Sequence, residues 1–209
     1  MGWWIERVVP RLTHATLDNP VVAGYRRRVC AGLTGDVLEI GFGSGLNLPH
    51  LPDAVRSVVA VEPSDLAWEM AQDAVARSAV SVTRGGREAE SLAQPDDSVD
   101  AVLVTFSLCT VRDPAAVLGE ARRVLRPGGR LHFLEHGLSP DEGVRRWQHR
   151  LNSMQGRLAG GCHLTRSAPE LVESAGFDLT EVEHWYVPGP GMSKPWGYVS
   201  RGVAAPRPA

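Results

Sequence analysis

The chain has 209 residues, 43% hydrophobic and 22% charged, the composition of a soluble globular protein with one sizeable core. Its formal net charge of −2 offers no electrostatic footprint for nucleic acid. Three dispersed cysteines, Cys30, Cys109 and Cys162, form no C-x-x-C pair, which argues against a zinc knuckle or a disulfide framework and for a reduced, cytoplasmic compartment.

The first segment, MGWWIERVVPRL, lacks the basic start and apolar core of a signal peptide. No apolar run approaches the ~20 residues that span a bilayer. Trp3-Trp4 suits a pocket or core position, with a membrane interface as the alternative. DNPVVAGYRRRVCAGLTG then predicts a helix capped by Asp18 or Asn19, with Pro20 in the first turn and Val22, Tyr25, Val29 and Leu33 on one face. Its Arg26-Arg27-Arg28 run, like Arg145-Arg146, reads as a solvated helix face, with an anionic lipid surface as the sharper alternative. Lys194 is the only lysine among 22 basic residues, which fits codon bias in a GC-rich bacterial genome.

GDVLEI (35–40) and SVVAVE (57–62) predict two short strands, followed by a helix from Ser64 that carries Leu66, Ala67, Met70, Ala74 and Val75. VSVT (80–83) predicts a third strand, and the continuously apolar Val99–Thr105 a fourth, buried on both faces. Asp113-Pro114 opens the next helix, RPGG (126–129) makes a turn, and RLHFLEH (130–136) is a fifth strand. Residues 141–158 read as helical, Ser167 with Glu170 forms a capping-box pattern, and FDLTEVEHWYV and WGYVSRGVA alternate as two late strands before a frayed tail. Strands alternating with helices predict an α/β fold. Its sheet is mostly parallel with helices on both faces, its late strands form an antiparallel edge hairpin, and ligands bind at the carboxyl ends of the strands.

The stretch LEIGFGSGLNLPH (38–50) opens the functional question. A triphosphate loop ends in Gly-Lys-Ser/Thr, but Leu46 follows Gly45 and no lysine is near. A dinucleotide fingerprint needs Gly or Ala where Leu46 stands. The pattern is instead G-x-G-x-G, with Glu39 two residues before Gly41. Glu62 lies 21 residues past Gly41, at the end of the second strand, where a carboxylate can accept from both hydroxyls of a ribose. A plain tight turn for the glycines and a helix-start charge for Glu62 are the structural alternatives.

The succession LEIGFGSG, VAVEPS, REAESL, SVDAVLVTFSL and VLRPGGRLHFLEH resembles the class I S-adenosylmethionine-dependent methyltransferases over most of residues 36–136. The resemblance implies a Rossmann-like, seven-stranded fold and S-adenosyl-L-methionine as cofactor. It implies contacts from Glu39, Gly41, Phe42 and Gly43 to the amino-acid part. Glu62 and Pro63 fall at the ribose, Glu88 or the backbone of Ala89 at adenine, and Thr105 beside the site. Asp is usual where Glu88 stands, and Arg87 beside it is a possible ion-pair partner for Glu88.

FLEHG (133–137), GGCHLTR (160–166) and TFSLCTVRDP (105–114) are similar to the subgroup that includes animal membrane-associated thiol methyltransferases. The long apolar N-terminal anchor of those animal proteins is missing here, so membrane contact is not favoured. The resemblance divides one domain into an N-terminal helical lid (1–35), a cofactor core (36–136), a substrate-side segment with edge strands (137–203) and a tail (204–209). It implies methyl transfer to a small-molecule acceptor, a thiol first. A lipid headgroup amine, a quinone ring, or cofactor binding without catalysis are the alternatives. A thiol reacts as its thiolate, so an acid/base group is needed, and His136 at the end of the fifth strand is the first candidate. His163 is weaker, because the animal pattern has Asn there, and Arg166 is expected to orient an anionic substrate or pair with Glu135. A packed structural role is the alternative for His136 and for Cys162. Metal ligation by His132, His136 and Cys162 lacks a recognisable spacing, so no metal is expected, and the oligomeric state stays open.

Overall fold

The computed structural model describes residues 2–208. Its seven strands are β1 (Gly35–Ile40), β2 (Val55–Val61), β3 (Ser81–Gly86), β4 (Val99–Thr105), β5 (Leu125–His136), β6 (Phe177–Tyr186) and β7 (Tyr198–Pro206). They form one sheet in the order β3-β2-β1-β4-β5-β7-β6. The first five are parallel, and β7 runs antiparallel between β5 and β6. The chain order reverses between β1 and β4, so the crevice at their carboxyl ends is where a fold of this topology holds its ligand.

Side-chain alternation splits the core into two layers. Leu38, Ile40, Val102, Val104, Leu131 and Phe133 pack on one face of the sheet with Val117, Leu118, Ala121 and Val124 of α5 (Pro114–Val124) and Val172 of α7 (Ala168–Ser174). Val37, Ala101, Leu103 and Leu134 point to the opposite face, against Val29 and Cys30 of α2 (Pro20–Cys30) and Ala71. Burying a side chain such as Phe133 contributes about 2–3 kcal/mol. The same alternation puts Glu39 on the α2 face and Glu135 on the α5 face.

Asn19 rather than Asp18 caps α2, its Oδ1 accepting from Val21 N and Val22 N at 3.1 Å each. The helix from Ser64 is two short pieces, α3 (Asp65–Met70) and α4 (Gln72–Arg77), joined at Ala71. The arm before α2 is a π-helical turn, Trp4–Val8, leading into α1 (Val9–Leu17).

Four expectations are corrected. The capping box at Ser167 does not form, since the Ser167 side chain makes no cap bond. The RPGG turn belongs to β5, where Leu125 pairs with Val99 before the register shifts and Arg130 pairs with Ala101. The tail at 204–209 is not frayed at its start, because Ala204, Ala205 and Pro206 extend β7 against Leu179, Asp178 and Phe177; Ala209 lies outside the described residues. Trp3 is 71% exposed and Trp4 41%, so neither is a core residue, although Trp4 Nε1 donates to the Leu158 carbonyl at 2.8 Å.

Candidate active site

The glycine loop leaves β1 over the end of β2. Gly41 N and Phe42 N both donate to the Val61 carbonyl, which holds the loop flat across the crevice. The two fingerprint glycines have different reasons to be glycine. At Gly41, with φ +73°, a Cβ would fall 1.8 Å from Ser107 Oγ, so the residue is small because β4's loop lies against it. At Gly43, with φ +59°, a Cβ would meet nothing nearer than 3.9 Å, which leaves open space above the backbone. The Phe42 ring turns inward, 3% exposed, with its centroid 5.5 Å from Trp68. Only the backbone of Phe42 is therefore left to face a ligand.

Glu62 sits directly beyond β2 and is 6% exposed. Its Oε2 accepts from Gly43 N at 2.7 Å and its Oε1 from Ser64 N at 2.8 Å. Two backbone donors thus fix the carboxylate while leaving each oxygen a free lone pair for a further donor. Burial pushes the Glu62 carboxyl above the usual carboxylate range, opposed by those two N–H groups and by Arg84. Pro63 next to it is exposed.

Glu39 is 1% exposed. Asn47 Nδ2 donates to its Oε1 at 2.7 Å and to Thr105 Oγ1 at 2.9 Å. Arg26 Nη1 donates to Asn47 Oδ1 at 2.8 Å and to Thr105 Oγ1 at 3.2 Å. The chain of four residues links α2, β1, the glycine loop and β4 beneath the crevice. Glu39 Oε2 and Arg26 Nε are buried without protein partners, so one free acceptor and one free donor stand in the same network. Burial pushes the Glu39 carboxyl up to about 7, with Glu62 adding to the effect and Asn47 and Arg26 opposing it.

Nothing in the sequence singles out Asn47, and the place of Arg26 corrects an expectation. Within the run Arg26-Arg27-Arg28 only Arg26 departs from a solvated face: it is 5% exposed, while Arg27 and Arg28 are exposed and Arg28 pairs with Glu183 and lies over the Trp185 ring at 5.1 Å. A signal existed, because Arg26 falls four residues after Val22 and three before Val29, on the buried stripe of α2.

Just past β3, Glu88 is exposed and Ala89 is buried. Arg87 pairs with Asp65 rather than with Glu88, which leaves the Glu88 carboxylate unengaged.

At the other end of the crevice, β5 delivers Glu135 and His136 to opposite faces. Glu135 accepts from Ser107 N at 2.6 Å, Leu108 N at 3.0 Å and Cys109 N at 3.4 Å, pinning the loop after β4. Phe106 begins that loop at φ +52°, a strained conformation for a non-glycine residue. Arg166 does not meet Glu135; its Nη1 donates to the carbonyls of Leu108 and Val111, both at 2.7 Å. His136 Nε2 lies 3.1 Å from Cys162 Sγ, and its Nδ1 is buried with no partner. Cys109 joins this pair, while His132 does not: its Nδ1 meets the Val29 carbonyl at 3.0 Å. The neighbouring Cys109, with burial adding, holds the Cys162 thiol well above the ordinary thiol range, opposed by His136. His163 Nδ1 is 3.4 Å from Asn152 Nδ2, and its backbone N–H donates to the Cys109 carbonyl.

The N-terminal arm touches both halves of the crevice. His14 Nδ1 is 2.8 Å from Ser44 Oγ in the glycine loop, and Val9 lies where a Cβ on Gly160 would meet it at 3.2 Å.

A methyltransferase-domain family profile matches residues 38–133. Thiol S-methyltransferase TMT1A of Homo sapiens is 32% identical over 199 residues, covering 88% of this chain and 80% of that protein. Thiol S-methyltransferase TMT1B of Rattus norvegicus is 35% identical over 159 residues, covering 73% of this chain; the alignment spans 63% of the rat protein's length. Among solved structures, a putative methyltransferase complexed with the Trm112 activator of Haloferax volcanii superposes with a TM-score of 0.73 at 18% identity, over 98% of this chain and 96% of that one. The fold, the glycine crevice with its acidic residues and these relatives agree: the chain belongs to the class I S-adenosylmethionine-dependent methyltransferases.

Proposed function

We propose that the protein transfers the methyl group of S-adenosylmethionine to the sulfur of a small-molecule thiol. The observation that carries this reading is the match to a thiol S-methyltransferase over 88% of the chain, well beyond the cofactor-domain profile at 38–133. The cofactor, when bound, supplies a methyl on a positively charged sulfur. The residues of the crevice fit it: Glu62 for the ribose hydroxyls, Glu39 Oε2 for the ammonium, Arg26 Nε for the carboxylate, and open space over Gly43 for the amino-acid chain. Glu88 or the Ala89 backbone takes adenine.

The protein's remaining work is to hold the acceptor sulfur in line with the methyl and to exclude water. A thiol with an ordinary pKa of about 8.5 is only a few per cent ionised at pH 7. In this reading His136 accepts the acceptor's proton at Nδ1, its ring nitrogen without a protein partner. Residues 1–35 serve as the lid, 36–136 as the cofactor core and 137–203 as the acceptor side.

The test is a panel of alkyl and aryl thiols incubated with the protein and S-adenosylmethionine, read as methyl thioether and S-adenosylhomocysteine. Turnover of one or more thiols is expected. Turnover of phosphatidylethanolamine or a quinol but of no thiol moves the acceptor to the membrane. Cofactor binding without product from any acceptor makes the chain a non-catalytic binding protein.

A further inference from the structure

Cys109, His136 and Cys162 come from three separate segments: the loop after β4, the end of β5 and the loop after α6 (Glu142–Leu158). Their ligand atoms all lie within 4.8 Å of one another. His136 Nε2 and Cys162 Sγ are 3.1 Å apart. The backbone fixes each position: Cys109 N donates to Glu135 and its carbonyl accepts from His163 N, Cys162 N donates to the Ala159 carbonyl, and His136 pairs with Val199 across the sheet. Outside the cluster, the hydrogen bonds of the Cys109 sulfur among the described residues are long ones, 3.4 Å to Thr110 Oγ1 and 3.7 Å to the Phe106 carbonyl.

We infer that Cys109 Sγ, His136 Nε2 and Cys162 Sγ form a binding site for a borderline-to-soft metal ion of the Zn(II) class, held on three protein donors with a fourth position left for solvent or an exogenous ligand. Two sulfurs and an imidazole select such ions over Mg(II) or Ca(II), which take oxygen donors. Tetrahedral bonds of about 2.3 Å to sulfur and 2.0 Å to nitrogen place the donor atoms roughly 3.5–3.8 Å apart, so shifts of about 1 Å or less close the site. The two cysteines bind as thiolates and release their protons to solvent. Three donors are one short of the closed sets of structural zinc sites. A cation there occupies His136, the imidazole assigned above to the acceptor's proton, so the metal-loaded and turnover-competent forms are distinct states.

Sequence spacing hides this site. On β5, His132 and His136 are four residues and about 13 Å apart, so His132 cannot join His136, and the third ligand comes from Cys109 instead.

The experiment uses the full chain, stripped with a chelator and kept reduced with a phosphine. Co(II) is titrated in, and Zn(II) is then added in competition with a chromophoric chelator. One Co(II) per chain is expected, with a thiolate charge-transfer band and the visible bands of tetrahedral coordination, and Zn(II) should displace it in one step. Cys109→Ser, Cys162→Ser and His136→Gln should each weaken Zn(II) binding by roughly tenfold or more. The Co(II) spectrum of the unaltered chain reads the ligand set without relying on any variant's folding. Absence of the charge-transfer band, or undiminished Zn(II) binding in a folded Cys109→Ser/Cys162→Ser double variant, overturns the site. These readouts are independent of turnover, so they stand or fall apart from the thiol reading.

Discussion

Asn47 Nδ2 donates to Glu39 Oε1 at 2.7 Å, while Glu39 Oε2 is buried without a partner. This half-satisfied carboxylate, pushed up to about 7 by burial, makes the cofactor-free protein pH-sensitive. The folded state holds the Glu39 proton more tightly than the unfolded chain does. The stabilisation is therefore complete below the ordinary carboxylate pKa of about 4.3 and is lost as pH rises through about 7, at up to about 1.4 kcal/mol per pH unit. A cationic ammonium needs the ionised form, so binding below pH 7 expels the proton. S-adenosylhomocysteine affinity should rise up to about tenfold per unit toward pH 7 and then level off. Calorimetry at pH 6 and pH 8 checks this, and Glu39→Gln should abolish the dependence; a flat profile would place Glu39 away from the ammonium.

Arg26 tests the amino-acid end of the site. Arg26→Met removes the donor to Asn47 and Thr105 together with the free Nε–H. Loss of charged hydrogen bonds of this kind costs about 1.5–3 kcal/mol, read as a lowered thermal midpoint. S-adenosylhomocysteine should bind roughly tenfold or more weakly, as for loss of a charged hydrogen bond. 5′-Methylthioadenosine, which lacks the carboxylate, should bind equally to both proteins. Equal losses for the two ligands would reduce Arg26 to a structural role.

Glu62→Ala should weaken S-adenosylhomocysteine at least about tenfold, through loss of two ribose hydrogen bonds. The Gly43 and Ser64 amides lose their acceptor as well. Unchanged affinity in titration calorimetry would mean that the end of β2 is not the ribose site.

The two glycines should separate stability from binding. Gly41→Ala drives a Cβ into Ser107 and should lower the thermal midpoint sharply. Gly43→Ala pays mainly the left-handed conformation, about 1 kcal/mol, and should instead weaken the cofactor. The reverse ranking would show that nothing passes over Gly43.

The crevice was legible where local chemistry writes it. Strand apolarity located β1 and β4, the G-x-G-x-G run located the loop, and Glu62 followed at the end of the next parallel strand, β2. What escaped was long-range. Arg26 sits on the buried stripe of α2, but nothing local says that a buried arginine there reaches Thr105, 79 residues away. Cys109 joins His136 and Cys162 only because β4 and β5 are neighbours and the loop after α6 folds back over them. Trp3-Trp4 misled because apolar character alone does not say which residues are covered, and Trp3 is not.

Glu135 should prove to be the residue that holds the acceptor side in shape. Its carboxylate accepts three consecutive amides, Ser107, Leu108 and Cys109, and so fixes the Cys109 thiol beside His136 and Cys162. Glu135→Ala leaves those donors without an acceptor, at about 1–3 kcal/mol for each one that stays buried. Amide exchange of residues 107–109 should then accelerate while that of the β1 and β2 amides stays slow. Cofactor affinity should change little, because Glu135 touches neither the Glu39 network nor Glu62, and turnover should fall. Loss of cofactor affinity in proportion to turnover would instead mean that the loop after β4 supports the whole crevice rather than its acceptor end.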